Sequence, residues 1–279
     1  MQSSSAISLF LAKSTLDYLR GRRTVSAQEN KSKSDQIHLR AAVTWLMRSI
    51  EVCGGHASSK GYRFMRGWMP PYPETSGYII PTLLTLANEL GDPVFEQHAR
   101  KIGDWLVEIQ LDNGGFTGRE VGVQDAPDVF DTGMILLGLN ALILTEHNDR
   151  WLQTARRASD FLISAIDRDG CFVRNCSHNM IHTYNVRSAW ALLAFGLLTS
   201  DKRFQQAALR NIRWTLSQQL ECGFFVNNAF KPGGNANTHG TAYVLRGLLQ
   251  SYQLTGKVDL LAAVLRAAEP IISQYTAKG

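Results

Sequence analysis

Residues 100–139 contain, in order, Arg100-Lys-Ile-Gly-Asp-Trp105-Leu106, Gly114-Gly115-Phe116 and Gly133-Met-Ile-Leu-Leu-Gly-Leu139. The first stretch places apolar residues at helical spacing between charged ones, which is typical of an amphipathic helix. The second is a glycine-aromatic corner, and glycine is the usual residue where the chain turns sharply. The third is apolar nearly all round, as expected of a helix that is covered on both sides. The unit predicts a hairpin of an amphipathic outer helix and a buried inner helix.

This hairpin unit recurs along the 279 residues at a period of about 54. The corner phenylalanines lie 52, 56 and 52 residues apart, in Gly61-Tyr62-Arg63-Phe64, Gly114-Gly115-Phe116, Gly170-Cys171-Phe172 and Gly223-Phe224. Further outer helices are predicted at Arg40–Leu46, Arg156–Leu162 and Leu209–Trp214, and further inner helices at Gly77–Leu84, Ser188–Leu193 and Thr241–Leu248. A fixed period of this length indicates a repeat architecture.

The repeats predict an all-α fold in which tandem helix hairpins close into an α/α toroid, as an incomplete or a five-hairpin barrel. We expect one domain over residues 1–279, with repeats at roughly 35–91, 92–147, 148–200 and 201–256. Terminal helices at 5–20 and 257–276 would then form the fifth hairpin. An open superhelical solenoid would have the same repeat, but terminal capping repeats with polar outer faces are not evident. The best short strand candidate is Gly223-Phe-Phe-Val226.

Composition and charge narrow the function classes. Hydrophobic residues make up 44% and charged residues 19%, an ordinary globular balance. The net charge of +5 is spread along the helices apart from a cluster at residues 20–33, so no nucleic-acid partner is expected. No apolar run is long enough for a membrane span, and no basic segment precedes the short apolar stretch at residues 6–12. We therefore expect a cytoplasmic protein with reduced cysteines.

Two family resemblances follow from particular motifs. Gln110-Leu-Asp-Asn-Gly-Gly-Phe116 and Gln219-Leu-Glu-Cys-Gly-Phe224 resemble the glutamine and glycine-aromatic repeats of terpene-cyclase and prenyltransferase toroids. Gly67-Trp-Met-Pro-Pro-Tyr-Pro-Glu-Thr-Ser-Gly-Tyr-Ile-Ile-Pro81 is similar to toroid proteins encoded with bacterial exopolysaccharide biosynthesis genes, which are related in fold to glucuronyl C5-epimerase C-terminal domains. The first resemblance implies fold alone. The second implies a role in making or trimming a surface glycan, with an oligo- or polysaccharide and other polysaccharide-synthesis proteins as partners.

Polar residues gather where the inner helices are predicted to begin. In a toroid these N-terminal ends face the same side, so their side chains should converge on a central cavity. The residues are Glu74 and Thr75, then Asp128, Asp131 and Thr132, then His182, Tyr184, Asn185 and Arg187, and finally Asn237, His239 and Thr241. Their convergence from four repeats is the main functional signal in the sequence.

Each of these residues also has a purely structural interpretation. Glu74, Asp131 and either Asn237 or Thr238 could cap their helices, and His239 could be a hydrogen-bonded core histidine. Capping does not account for Arg187, which needs either Asp131 as a partner or an acidic sugar as a ligand.

Aromatic residues near Glu74 suggest a surface on which a sugar ring could stack. Trp68, Tyr72 and Tyr78 flank this carboxylate in sequence, although Trp68 and Tyr72 could merely pack a proline-rich loop. Two long loops, at residues 54–73 and 222–238, exceed the usual connection length, and the second could fold over the cavity mouth.

Two glycan chemistries fit this inventory. Glycoside hydrolysis needs two carboxylates, for which Glu74 and Asp131 are candidates, with Asp128 or Asp125 in reserve. Uronate epimerisation or elimination needs a base, Tyr184 or His239, and a cation such as Arg187 to neutralise the carboxylate. Asp128, Asn185, Arg187 and Asn237 are candidate substrate-binding residues in addition to the three aromatic ones. Hydrolysis is slightly favoured, and a non-catalytic glycan-binding or scaffold subunit remains the alternative.

Other chemistries lack their residues. No aspartate-rich motif of the terpene-cyclase kind is present, and the Asp and Cys that would accompany His239 in a prenyltransferase zinc site are missing. Cys171, Cys176, His178 and His182 have ligand types suited to zinc but no standard spacing. The sequence therefore predicts neither a metal nor another cofactor.

Overall fold

The computed structural model describes residues 34–123 and 126–276. The helix predicted at 5–20 lies outside these residues. The described elements are α1 (Asp35–Glu51), β1 (Tyr62–Arg63), β2 (Gly67–Trp68), α2 (Pro73–Leu90), α3 (Pro93–Glu108), α4 (Val129–Thr145), α5 (Asp149–Ala165), α6 (Val186–Leu198), α7 (Lys202–Ser217), α8 (Thr238–Thr255) and α9 (Val258–Thr276), with short 3₁₀ turns at Ser177–Asn179 and Thr183–Asn185.

The helices alternate between an inner and an outer layer, as the repeat predicted. Inner helices α2, α4, α6 and α8 pack side by side in chain order, and α3, α5, α7 and α9 pack against them from outside. The Phe130 ring of α4 stacks on the Tyr243 ring of α8 at 5.0 Å, although α6 separates these helices in the series. The inner helices therefore curve around a common centre, which favours a ring over an open solenoid. No helix within residues 34–123 and 126–276 is long and apolar enough to cross a membrane.

The outer helices begin at a repeated capping position. Asp92, Asn148 and Asp201 each stand just before an outer helix, and each side chain accepts a hydrogen bond of 3.0 Å from the backbone N–H two residues later. Such caps satisfy one of the unpaired donors of the first turn. A short polar connection therefore follows each of these inner helices, and its capping residue begins the next outer helix.

Glycines allow the inner helices to approach each other closely. A methyl group on Gly138 of α4 would lie 2.2 Å from the carbonyl oxygen of Gly77 in α2. One on Gly133 would lie 2.6 Å from the Cα of Ser188 in α6. Because no larger residue fits between these backbones, the small residues of the inner helices set the width of the ring's centre.

Gly138→Ala should lower the free energy of unfolding by about 1–3 kcal/mol, since overpacking a tight helix contact forces the backbones apart. Chemical denaturation of the two proteins measures the difference. Asn88→Ala, on the exposed side of α2, is the matched control and should change little. Equal stability of Gly138→Ala and wild type would show that α2 and α4 are not in close backbone contact.

Each glycine corner lies within one hairpin and packs against the outer helix of the next. Gly114, Gly170 and Gly223 have φ of +86°, +95° and +90°, and a side chain there would collide with the backbone carbonyl of Arg157, Arg210 or Arg266 respectively. The Gln110 amide donates to the carbonyls of Gly114 and Thr154, each at 2.9 Å, and Gln219 makes the equivalent pair to Gly223 and Ala263. The glutamine-glycine motif therefore joins consecutive repeats.

Three details of the predicted repeat are wrong. Gly61–Phe64 is not a fourth equivalent corner, because Tyr62–Arg63 pairs with Gly67–Trp68 in an antiparallel hairpin and Phe64 is 55% exposed. In the last corner Phe225, not Phe224, is the buried ring. Gly223–Val226 forms no strand, since its only ladder contact is an isolated bridge between Gln219 and Phe225.

Candidate functional site

Four connections of about 20 residues lead from the outer to the inner helices, at residues 52–72, 109–128, 166–185 and 218–237. Each is joined to the next one around the ring. The Tyr72 hydroxyl donates to the Gly118 carbonyl at 3.1 Å, the Val129 N–H to Asn175 at 2.8 Å, and the Thr183 N–H to Asn227 at 2.9 Å. The sequence identified the first and last of these loops as long, but missed the two in the middle. Together they surround the N-termini of the inner helices.

Asp128 is the N-cap of α4 and holds a neighbouring loop. Its Oδ1 accepts hydrogen bonds from the backbone N–H groups of Phe130 at 2.7 Å and Asp131 at 3.3 Å. Its Oδ2 accepts a hydrogen bond from the Ser177 hydroxyl at 2.7 Å. The suggestion that Asp131 caps this helix is therefore wrong, because Asp128 occupies the cap position.

Asp131 lies three residues after this cap, in the first turn of α4, and is 6% exposed. Burial, followed by the neighbouring charges of Asp128 and Glu74, raises the pKa of its carboxyl well above the usual range. The Tyr72 hydroxyl lies within hydrogen-bonding reach and opposes this rise. The Asp131 Oδ1 atom has no partner. Burial and the neighbouring negative charges therefore favour the protonated form of this carboxyl.

Glu74 lies in the first turn of α2, two residues after the N-cap Tyr72, so it is not the cap. Burial raises the pKa of Glu74 to about 7, partly offset by the positive charge of Arg187. Asp128 adds to the rise and Lys60 opposes it. Glu74, Asp131 and Asp128 lie together, and we call these three residues the carboxyl cluster. Within it, Glu74 and Asp131 share one poorly solvated region, and both pKa values are raised.

Glu74→Gln should raise the free energy of unfolding by up to about 3 kcal/mol at pH 8 and by little at pH 5. The folded pKa is about 7 against 4.5 for the free side chain, so folding opposes ionisation and stability falls as pH rises between these values. Glutamine carries no charge, so the stability of the variant does not fall in this way. Chemical denaturation of both proteins at the two pH values measures the difference in unfolding free energy, with Glu108→Gln on the exposed side of α3 as control. A variant less stable than wild type at both pH values would instead make Glu74 a structural residue.

Arg187 lies in the first turn of α6 and is half-buried among aromatic rings. Its guanidinium carbon is 4.5 Å from the centre of the Tyr243 ring and 6.0 Å from that of Phe130. Burial lowers the pKa of Arg187, and its Nε has no hydrogen-bond partner. In the part of the chain that the structure describes, Arg187 forms no ion pair with Asp131, the predicted partner; Glu74 is the carboxylate that interacts with its charge.

Tyr184 and Asn185 are buried beside this cluster. The Tyr184 ring is 3% exposed, stacks on His182 at 4.4 Å and meets the Phe130 ring edge-on at 5.4 Å. Burial, with a smaller contribution from Asp128, raises the pKa of Tyr184, so its phenolate is disfavoured. Asn185 donates to the Cys176 sulfur at 3.6 Å, while its Oδ1 has no partner. Both residues belong to the third connecting loop, and the Tyr184 ring also lies 5.6 Å from that of Phe230 in the fourth.

Asn237 and His239 stand at the start of α8. Asn237 caps the helix, since its Oδ1 accepts a hydrogen bond from the Gly240 N–H at 2.7 Å, and this alternative is confirmed. The alternative of a core histidine is wrong, because His239 is exposed. Its ring contacts Tyr243 at 4.3 Å and Phe230 at 5.7 Å, so it lies at the edge of the aromatic group around Arg187.

The three predicted aromatic residues do not form one surface. Tyr72 and Tyr78 lie next to the carboxyl cluster, and burial raises the pKa of Tyr78 to about 12. Trp68 instead packs against Trp45 at 4.6 Å and Tyr62 at 5.4 Å, in a separate aromatic group. The sequence also missed Tyr243, which carries the Arg187 contact. Its position one turn into an inner helix, after His239, is the signal that could have revealed it.

A cavity of about 470 Å³ opens beside the carboxyl cluster. It is lined by Lys60, Gly118, Arg119, Ala126, Pro127, Asp128, Asn175, Cys176, Ser177, His178 and Asn179. Its walls are mostly polar and come from the first three connecting loops. Such a pocket suits a hydroxyl-rich ligand better than an apolar one.

Two further candidates are not part of this cluster. Asp125 lies outside the described residues. The run of Cys171, Cys176, His178 and His182 is not gathered into a metal-binding group of three or more in the described part of the chain. The Cys171 and Cys176 thiols both donate to the Phe172 carbonyl, at 3.5 and 3.4 Å, and His182 contacts the Ser177 carbonyl at 2.9 Å.

Comparison with known proteins yields structural neighbours only. No family model and no curated protein sequence matches the chain. The unsaturated glucuronyl hydrolase from Bacillus sp. GL1, responsible for the degradation of glycosaminoglycan, aligns with TM-score 0.63 and 18% identity over 81% of this chain and 64% of its own. An unsaturated glucuronyl hydrolase specific for heparin aligns with TM-score 0.66 and 15% identity, over 84% of this chain and 66% of its own. The GH76 α-mannanase from Bacteroides thetaiotaomicron aligns with TM-score 0.58 and 12% identity, over 81% of this chain and 66% of its own.

These likenesses bear on the fold. The identities are too low to carry an activity across, and this chain spans less than two thirds of the length of each of these three structures. All three share its arrangement of inner and outer helices over most of the chain. The predicted all-α toroid of tandem helix hairpins is therefore confirmed.

Proposed function

We propose that this protein hydrolyses an acidic oligo- or polysaccharide, of the kind found in bacterial surface and extracellular glycans or their precursors. One observation carries the proposal. Glu74 and Asp131 have raised pKa values and lie at the N-termini of adjacent inner helices, near the half-buried Arg187. The likeness in fold to several glycoside hydrolases supports it as an analogy.

The two carboxyls have different roles in this proposal. Asp131, the more deeply buried of the two and with a raised pKa, donates its proton to the glycosidic oxygen of the leaving sugar. Glu74, ionised above about pH 7, accepts a proton from the attacking water as the new C–O bond forms. The glycosidic C–O bond breaks, one water is consumed, and the two carboxyls have exchanged their protonation states. Burial, and after it the negative charge of Asp128, favours the protonated form of Asp131.

An acidic sugar fits the charges at this site. Arg187 has an unpaired Nε and no carboxylate bound to it among the described residues, so an anionic ligand would relieve its partial burial. The structural neighbours named as unsaturated glucuronyl hydrolases act on a uronate, which is the class of sugar we propose here. The half-buried Tyr243, against which Arg187 packs, would keep the guanidinium in place.

Uronate epimerisation or elimination is less well supported. That chemistry needs Tyr184 or His239 as the base beside the sugar carboxylate. Burial raises the pKa of Tyr184 and so opposes the phenolate, and His239 is exposed at the rim. A non-catalytic glycan-binding role would use the same cavity, but it gives no reason for two carboxyls with raised pKa values.

Incubation with a panel of uronate-containing and neutral oligosaccharides tests the proposal by mass spectrometry. We expect an acidic member of the panel to gain the mass of one water with release of a sugar. An unsaturated product lighter than the hydrolytic one by the mass of one water, or an isomer of unchanged mass, would identify elimination or epimerisation instead. No turnover of any member would contradict an enzymatic role on these glycans.

The rate of this reaction should rise as pH passes through about 7 and fall again at higher pH. Glu74 must lose its proton to act as a base, while Asp131 must keep its own. In Glu74→Gln the rising limb should disappear along with most of the activity. A wild-type rate that stays level from pH 5 to 8 would contradict the role given to Glu74.

A further inference from the structure

An exposed hairpin next to the cavity combines cationic and aromatic side chains. It runs through Lys60-Gly-Tyr62-Arg63-Phe64-Met-Arg66-Gly-Trp68. Tyr62 is 51% and Phe64 55% exposed. Arg63 and Arg66 are also exposed, and the whole segment contains no acidic residue. We call residues 60–68, together with Trp45 of α1, the aromatic hairpin.

The aromatic rings of this hairpin form an ordered group on the surface. Trp45 is 54% exposed, and its ring lies 4.6 Å from Trp68 and 5.8 Å from Tyr62. The turn is closed by a hydrogen bond of 3.0 Å from the Arg66 N–H to the Arg63 carbonyl, with Met65 at φ +78°. A non-glycine residue at such a φ is strained, so the turn is kept at some cost in stability. Large exposed aromatics that the core does not need indicate a binding surface.

The aromatic hairpin borders the cavity that opens beside the carboxyl cluster. Lys60, its first residue, lines the 470 Å³ cavity together with Asp128. The Lys60 ammonium also lies 4.7 Å from the centre of the Tyr72 ring, whose hydroxyl reaches Asp131. Lys60 pairs with Glu120 at 2.9 Å, so it is fixed at the boundary between cavity and hairpin. A chain-like ligand that enters the cavity would therefore pass over these rings.

We propose that the aromatic hairpin binds a further stretch of the same acidic glycan, several sugars from the bond that is cleaved. This inference rests on the proposed function and adds to it that the substrate is a polyanionic chain. Sugar rings present apolar C–H faces to Trp45, Tyr62 and Trp68, and their carboxylates or sulfates pair with Arg63 and Arg66. The hairpin combines both contacts and carries no negative charge, which favours this ligand over a neutral glycan.

The test compares chain lengths in two variants. In Tyr62→Ala/Arg63→Gln, KM for an acidic oligosaccharide of eight or more sugars should rise at least tenfold, while kcat and the KM for a trisaccharide stay unchanged. Arg213→Gln, an exposed cation on α7, is the matched control and should leave both unchanged. If the double variant misfolds, Arg66→Gln takes its place. It leaves the aromatic rings intact and should also raise the KM for the long chain.

Other results separate this inference from the proposed function. Direct binding of the long acidic chain, of a neutral chain of equal length and of single-stranded DNA is measured by calorimetry on Asp131→Asn. If the acidic chain binds in a way that depends on the hairpin but wild type does not cleave it, the hairpin is a glycan-binding site and the proposed hydrolase activity is wrong. Turnover that does not depend on chain length or on the hairpin variants would overturn the hairpin alone. Tighter binding of DNA, or equal binding of the neutral chain, would also overturn it.

Discussion

Asp131→Asn should lower the turnover of an acidic oligosaccharide by about 10²- to 10⁴-fold, which is the usual contribution of a positioned general acid. The asparagine cannot give up a proton to the glycosidic oxygen. It has nearly the same size and shape, and it carries no charge next to Asp128. The fold should therefore be retained and the affinity for substrate should change little. Single-turnover rates and calorimetry, at the pH of maximal activity, separate these two quantities.

The matched control for this variant is Asp112→Asn, an exposed carboxylate in the second connecting loop, which should keep full activity. Two results would count against Asp131 as the acid. One is an Asp131→Asn rate within a few fold of wild type. The other is a loss of activity that accompanies loss of the folded state, because the residue would then matter for structure rather than for proton transfer.

Arg187→Met should weaken binding of an acidic oligosaccharide by about 10- to 100-fold, since hydrogen bonds to a charged group contribute about 1.5–3 kcal/mol. Methionine fills much of the same space against Tyr243 without a charge. Binding of the matching neutral oligosaccharide should be nearly unaffected. Arg187→Lys should fall between the two, because lysine keeps the charge but loses the planar, two-pronged donor geometry.

The stability of the Arg187 variants distinguishes a ligand-binding role from a structural one. A half-buried guanidinium without a bound carboxylate is costly, so Arg187→Met should be at least as stable as wild type in the absence of ligand. A marked drop in its melting temperature would indicate that Arg187 supports the fold. Equal loss of affinity for acidic and neutral sugars would remove the charge-based explanation.

The sequence predicted the repeat because the repeat depends on local features. Gln110 and Gly114 recur as Gln219 and Gly223, and each pair makes the same backbone contacts to the next outer helix. Helical periodicity also placed Glu74, Asp131 and Arg187 at the starts of inner helices. The first corner was misassigned because Gly61 and Phe64 have the same composition as a corner but belong to a β-hairpin.

The site was harder to predict because its members differ in ways that only packing determines. Asp128 and Asp131 are three residues apart, yet one caps the helix while the other is buried with a raised pKa. Trp68 and Tyr72 lie in one proline-rich segment, but Trp68 packs against the Trp45 ring whereas Tyr72 lies among the carboxyls. Tyr243 reaches Arg187 from another repeat, and such a long-range contact leaves no periodic pattern in one sequence.

A crystal structure of Asp131→Asn with a bound acidic oligosaccharide would show whether cleavage takes place at the inner-helix N-termini. We expect a uronate carboxylate on Arg187 and a glycosidic oxygen within hydrogen-bonding distance of residue 131, with Glu74 close enough to hold a water. A sugar bound away from the inner-helix N-termini, or one whose linkage lies beyond reach of both Glu74 and residue 131, would contradict it.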